Sequence, residues 1–371
     1  MRGAMSRITA AQPAPQAAER FVGTMPVQEK HRFDVAALQR YMESHVEGYR
    51  GALTVEQFKG GQSNPTYRVS GGGRHYALRR KPAGKLLASA HAVDREYRVM
   101  TALRDTGVPV PRTYALCTDE SVIGTAFYIM DCVDGRVLWD PTTPGLTPAE
   151  RASVFWELNR VIAALHTVDY KAAGLADFGK PGNYFTRQID RWSKQYRASE
   201  TEKIEAMERL MEWLPANIPP GDETTIVHGD YRLDNTIFHP REQRMLAVLD
   251  WELSTLGHPL ADFSYHAMTW RIPMGMFRGL GGCDFKSLGI PEEKEYVAAY
   301  CKATGRDGID PDHWNFYIAY NLFRGSAILQ GIMGRVKDGT AASAAALESG
   351  RAAKPMAELG WAQVQNILRK R

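Results

Sequence analysis

His228-Gly229-Asp230-Tyr231-Arg232-Leu233-Asp234-Asn235 is followed, after a short connection, by Ala247-Val248-Leu249-Asp250-Trp251-Glu252. An apolar strand, Thr225-Ile226-Val227, leads into the first stretch, and Met245 to Leu249 supplies a second strand ahead of Asp250. Taking roughly one in twenty for each of His, Gly, Asp and Asn, the pattern recurs by chance in about two per thousand chains of this length. The plain alternative is a surface turn in which Asp and Asn bond their own backbone.

The spacing carries chemistry. Four residues separate Asp230 from Asn235, so the Asp is placed to accept a hydroxyl proton while the Asn reaches a magnesium ion. Asp250, ending the next strand, would hold the metal that bridges the β- and γ-phosphates of ATP.

Working outward to the N-terminus, Val55-Glu56-Gln57-Phe58, Thr66-Tyr67-Arg68-Val69 and His75-Tyr76-Ala77-Leu78-Arg79 read as three strands separated by Gly-rich turns. Gly60-Gly61-Gln62-Ser63-Asn64 occupies the first turn, where glycines let the backbone approach phosphates. Gly61, Ser63 and Asn64 are its candidate nucleotide contacts. Tyr76-Ala77-Leu78-Arg79 then takes the place of the strand that carries the phosphate-binding cation. Arg79 is that cation and Glu96 its ion-pair partner, on a helix expected from Ser89 to Arg104 with Val93, Met100 and Leu103 on one face. Alternation with period two also puts Lys81 on the face of Arg79, so Lys81 competes for the phosphate contact. Ala126-Phe127-Tyr128-Ile129-Met130 reads as a buried strand.

Beyond it the pattern turns helical. Thr147-Pro148-Ala149-Glu150 is a capping-box signature with proline at the first helical position. Val154, Phe155, Leu158, Val161, Ile162 and Leu165 continue it as an apolar stripe. A further helix is expected from Tyr317 to Val336, and the Met/Gly-rich stretch from Met274 to Gly282 reads as a mobile loop or a substrate lid.

Composition bounds the rest. The chain has 371 residues and a formal charge of +4, with basic residues scattered, which gives no sign of a nucleic-acid binder. Four cysteines lie far apart without a CxxC pair, so neither a zinc site nor a disulfide framework is expected. No apolar run approaches the ~20 residues that cross a bilayer. A soluble, cytoplasmic protein is expected, with residues 1–28 a flexible extension. Neither G-x-S-x-G nor H-E-x-x-H occurs, which argues against a serine or zinc hydrolase.

Taken in order, these pieces resemble the aminoglycoside phosphotransferase-like kinases, a branch of the protein-kinase-like fold that includes choline and homoserine kinases. The H-G-D-x-x-x-x-N loop, Val248-Leu249-Asp250-Trp251-Glu252 in place of D-F-G, and Gly257-His258-Pro259-Leu260-Ala261-Asp262 carry the resemblance. Gly61 to Tyr67, Leu78 to Pro82 and Asp94 to Tyr97 are similar, more narrowly, to the kinase-like domain fused to certain acyl-CoA dehydrogenases. The resemblance implies an α+β, two-lobed fold: a small β-rich N-lobe over residues 29–133 and a larger, mainly helical C-lobe over residues 134–371. It also implies ATP and Mg²⁺ as cofactors, a hinge holding adenine through the main chain of Asp131 and Val133, and Asp262 bracing the catalytic loop. Arg79 stands where the family carries a lysine.

The narrower likeness implies a 4-hydroxyacyl-CoA acceptor. From Ser264 to Arg371 the chain has 14 Lys/Arg against 10 Asp/Glu, which suits an anionic small-molecule substrate better than a polycationic antibiotic. Arg324 and Arg335, on one helix with Gln330, are candidates to face it. Aminoglycoside resistance and a nucleotide-binding pseudokinase are the alternatives.

Overall fold

The computed structural model describes residues 22–59, 64–82, 92–339 and 346–370. Its first portion is a six-stranded antiparallel sheet in the order β1-β2-β3-β4-β6-β5. These strands are β1 (Thr24–Met25), β2 (Thr54–Phe58), β3 (Thr66–Gly71), β4 (Arg74–Arg80), β5 (Thr113–Cys117) and β6 (Phe127–Asp131). Alternation divides the sheet into two faces. Tyr76, Leu78, Phe127 and Ile129 pack with Leu38 and Met42 of α1 (Val35–His45), whereas Ala77, Tyr128 and Met130 join Val99 and Met100 of α2 (Val93–Leu103).

Arg79 shares the second face and Arg80 the first, where Arg80 lies over the rings of Phe33 and Tyr67. Helix α2 begins at Val93 rather than Ser89, with the expected Val93, Met100 and Leu103 all buried; residues 83–91 lie outside the described ones. Part of the expected N-terminal extension is structured, because Thr24 and Met25 pair with Phe58 and Gln57 as an edge strand.

The second portion is mainly helical and makes the fold α+β. Helix α3 (Pro148–His166) starts with the foreseen box: Thr147 accepts from the Glu150 N–H, and Glu150 accepts from the Thr147 N–H. Helices α4 (Tyr184–Ala198) and α5 (Glu205–Ala216) follow. Two antiparallel strand pairs then build the site, β7 (Thr225–Val227) with β10 (Thr255–Gly257), and between them in sequence the hairpin of β8 (Thr236–Phe238) with β9 (Met245–Val248). Helix α6 (Pro259–Ala267) is buried at every position.

After the short α7 (Phe285–Leu288) and α8 (Glu293–Ala303) comes the central α9 (Pro311–Lys337), which packs on α11 (Ala353–Leu368), α6, α4 and α5. A short α10 (Ala346–Arg351) precedes α11. Helix α9 starts six residues before the expected Tyr317. Asp310 caps it by accepting the N–H groups of Asp312 and His313, and Pro311 takes the first position. Among the described residues no helix is long and apolar enough to cross a membrane.

Candidate active site

The loop after β7 is tied down at every step. His228 sends Nε2–H to the Leu249 carbonyl at 2.8 Å and accepts the Asp230 N–H on Nδ1 at 3.2 Å, which sets a neutral ring in one tautomer. Gly229 has φ +83°, and a Cβ there would stand 2.7 Å from the Leu253 carbonyl oxygen. Only glycine fits both demands. Asp262, from the first turn of α6, accepts the N–H groups of His228 and Gly229 at 2.7 and 2.8 Å. His166 contacts the same carboxylate at 3.2 Å. Burial alone would raise the Asp262 pKa, but His166 and these backbone donors hold it below the usual range.

Asp230 is ringed by donors. Its Oδ1 accepts from the Tyr265 hydroxyl at 2.6 Å and lies 3.0 Å from Arg232 Nε. Its Oδ2 accepts from Asn235 Nδ2 at 3.0 Å, and the same amide nitrogen donates to the Asp230 carbonyl at 2.9 Å. Turning that amide over would set its oxygen against two oxygens, so Oδ1 of Asn235 lies on the far side, where Arg232 Nη2 donates to it at 3.4 Å. The Asn235 carbonyl then accepts the Leu249 N–H at 2.8 Å, joining the loop to the strand end that carries Asp250. Asp250 itself has φ 64°, left-handed for a non-glycine residue. Such backbone costs of order 1–3 kcal/mol and is held here by the structure around it.

Arg79 closes the arrangement from the sheet. It lies 2.9 Å from Glu96 of α2, 2.7 Å from Asp250 and 3.6 Å from Glu252. Burial works against its charge, but Glu96, Asp250 and Glu252 outweigh burial and hold the guanidinium protonated above its ordinary range. Glu96 is held in turn by Asn64 Nδ2 at 2.9 Å and the Tyr128 hydroxyl at 3.1 Å.

The phosphotransferase enzyme family model matches residues 54–311. The chain belongs to that family. As a member it is a small-molecule phosphotransferase. Mouse acyl-CoA dehydrogenase family member 10 is 47% identical over 341 residues, covering 91% of this chain and 32% of that protein. Human acyl-CoA dehydrogenase family member 11 is 40% identical over 336 residues, covering 89% of this chain and 43% of that one. The chain thus spans less than half the length of these relatives. A crystal structure from Ralstonia eutropha, described as an aminoglycoside phosphotransferase, has TM-score 0.84 and 59% identity, covering 90% of this chain and 99% of its own. Aminoglycoside phosphotransferase APH(4)-Ia with ADP and hygromycin B has TM-score 0.57 at 14% identity, covering 88% and 98%, a likeness of fold alone. The two-lobed, kinase-like architecture is thereby established.

Within this phosphotransferase, the expected residues divide. Asp230, Asn235, Asp250, Arg79, Glu96 and Asn64 come together as described, whereas Gly61 and Ser63 lie outside the described residues. Lys81 falls just beyond β4, with its N–H on the Ala126 carbonyl, so it is Arg79 that reaches the carboxylates. Asp131 ends β6 and Val133 follows two residues on; the Asp131 N–H is taken by the Arg112 carbonyl at 2.8 Å.

Arg324 is not on a solvated face. It is buried, donates to the Gly229 carbonyl at 2.6 Å, and stacks over the rings of Tyr265 and Trp192. Arg335 is exposed near the end of α9, and Gln330 is buried against Ser199 and Thr201. The stretch from Met274 to Gly282 is folded back on itself, with Pro273 bridged to Gly281 and the Met274 N–H on the Gly281 carbonyl. Arg278 pins it to Asp234 of the catalytic loop. Sequence reasoning missed Arg232, Tyr265 and Arg278. Only Arg232, inside the motif, had a local signal.

Proposed function

We propose that this phosphotransferase moves the γ-phosphoryl group of MgATP to a hydroxyl of a small anionic metabolite, of the hydroxyacyl-CoA class. The observation that carries the reading is the convergence of Asp230, Asn235 and Asp250 with the Arg79–Glu96 pair on one surface. In this reading Asp230 orients the acceptor hydroxyl and takes its proton. Arg79, held between Glu96 and Asp250, would lend its positive charge to the nucleotide phosphates beside Asp250. The amide oxygen of Asn235, which has only the long 3.4 Å contact with Arg232, and the Asp250 carboxylate are hard donors that would hold Mg²⁺, which when bound neutralises charge on the phosphates. The hinge at Asp131 and Val133 would receive adenine. Catalysis then consists of positioning and charge compensation.

Two features favour an anionic acceptor with an apolar body. A small recess beside the catalytic loop is lined by Pro141, Phe155, Leu233, Phe277 and Leu280 together with Arg232 and Arg278. The relatives named as acyl-CoA dehydrogenases agree with this chemistry. We also propose a cytosolic location, in keeping with four cysteines that lie far apart in the sequence without a CxxC pair. ADP release from MgATP, measured with a 4-hydroxyacyl-CoA and with kanamycin, tests the acceptor. Release dependent on the thioester supports the reading; release dependent on kanamycin alone overturns it in favour of antibiotic modification. ATP binding without turnover on any alcohol would mark a pseudokinase.

A further inference from the structure

We propose that Tyr265 is a positioning residue that fixes the rotamer of Asp230 and selects Oδ2 as the oxygen that takes the proton. The inference rests on the reading of Asp230 as the base.

An ionised carboxylate offers about four lone-pair sites, two on each oxygen. On Asp230, Oδ1 accepts the Tyr265 hydroxyl at 2.6 Å and has Arg232 Nε 3.0 Å away as a charge contact rather than a hydrogen bond, and both make it the less basic oxygen. Oδ2 accepts from Asn235 Nδ2 at 3.0 Å, which leaves it one site for an incoming hydroxyl. Without Tyr265, Oδ1 keeps only the charge contact with Arg232, and the Asp230 rotamer is held less tightly. A catalytic group misplaced by about 1 Å loses on the order of a hundredfold in rate.

The support behind Tyr265 is rigid. Tyr265 lies on α6, buried throughout, and its ring packs 4.8 Å from the Arg324 guanidinium of α9. Arg324 is itself buried, yet forms no salt bridge among the described residues. It is held by the Gly229 carbonyl at 2.6 Å and by Trp192 on its other side at 5.6 Å. A buried cation without a salt-bridge partner is costly. Here it braces the base from two directions, through the carbonyl one residue before Asp230 and through the ring of the residue that binds its carboxylate.

Tyr265→Phe removes the hydroxyl and keeps the ring. ADP release from MgATP is measured with a 4-hydroxyacyl-CoA and with water as acceptor, normalised to MgATP-binding sites, for Tyr265→Phe, Asp230→Ala and the double variant. The proposal expects Tyr265→Phe to lower kcat by about tenfold to a hundredfold, with both KM values and the thermal midpoint near wild type. It also expects the double variant to be no slower than Asp230→Ala, because a residue acting through Asp230 has nothing left to position. Wild-type kcat in Tyr265→Phe, or a loss that simply adds to that of Asp230→Ala, overturns it. Wild-type rates in Asp230→Ala would overturn the assignment of the base itself, a separate failure.

Discussion

Arg79 on β4 donates to Asp250 at 2.7 Å across 171 positions of sequence, and Glu96 stands 2.9 Å from the same guanidinium. One cation thus links the sheet, helix α2 and the strand end of the second portion. Arg79→Ala would strand Glu96, which is 1% exposed, without its counter-charge. Breaking a buried pair in this way costs about 3–5 kcal/mol, to be read as a lower urea midpoint. Arg79→Lys keeps the charge but not the fork that spans both carboxylates. It should stay folded and bind MgATP about tenfold more weakly by titration calorimetry; unchanged affinity would separate Arg79 from the nucleotide.

Gly229→Ala should fail at the loop. Its φ of +83° and the 2.7 Å approach to the Leu253 carbonyl leave no room for a methyl group. The expected loss is about 1–3 kcal/mol of stability, with turnover lost beyond what unfolding explains. A variant with wild-type kcat would show that the loop tolerates another path.

Asp262→Asn tests the brace. Its carboxylate takes two backbone N–H groups and His166, and an amide can present only one oxygen to them. A loss of about 1–3 kcal/mol in denaturant unfolding is expected, together with slower ADP release. Unaltered stability would mean that the loop holds itself.

His266 predicts the pH dependence of stability. Burial pushes its pKa from 6.5 down to about 4, and its ring bonds the Tyr296 hydroxyl at 2.8 Å. Below pH 6.5 the unfolded chain takes up a proton that the folded chain refuses until about pH 4. The unfolded state binds more protons in that window, so stability falls as pH falls. The loss is roughly 2 kcal/mol by pH 5. Urea midpoints at pH 7 and pH 5 measure it, and His266→Gln should flatten the slope. An equal slope in that variant would assign the effect to other groups, His258 first among them, since burial lowers it to about 4 as well.

The residues legible in advance were those whose partners lie at fixed short spacing. Asp230 and Asn235 share one loop, and Thr147 caps with Glu150 three positions on. Arg79 and Glu96 were readable because their elements come in a fixed order. Tyr265, Arg324 and Arg278 reach the catalytic loop from two helices and a distant loop. No local pattern sets the register of those approaches. Arg324 reads from the sequence as a candidate to face the substrate; instead it is buried behind the catalytic loop, on the Gly229 carbonyl. Met274 to Gly282 reads from its glycines as a mobile loop or a substrate lid; the sequence gives no sign of its backbone bonds or of the Arg278–Asp234 pair that tie it to the catalytic loop. The early start of α9 was visible in Asp310-Pro311 and was passed over.

The central claim, that Asp230 performs phosphoryl transfer on nucleotide held by Arg79 and Asp250, is tested most directly by measuring MgATP binding and ADP release side by side in wild type and Asp230→Ala. The expected result is MgATP affinity within about twofold of wild type and ADP release slowed by about 10²–10⁴-fold in the variant. Release at the wild-type rate from Asp230→Ala would contradict the account.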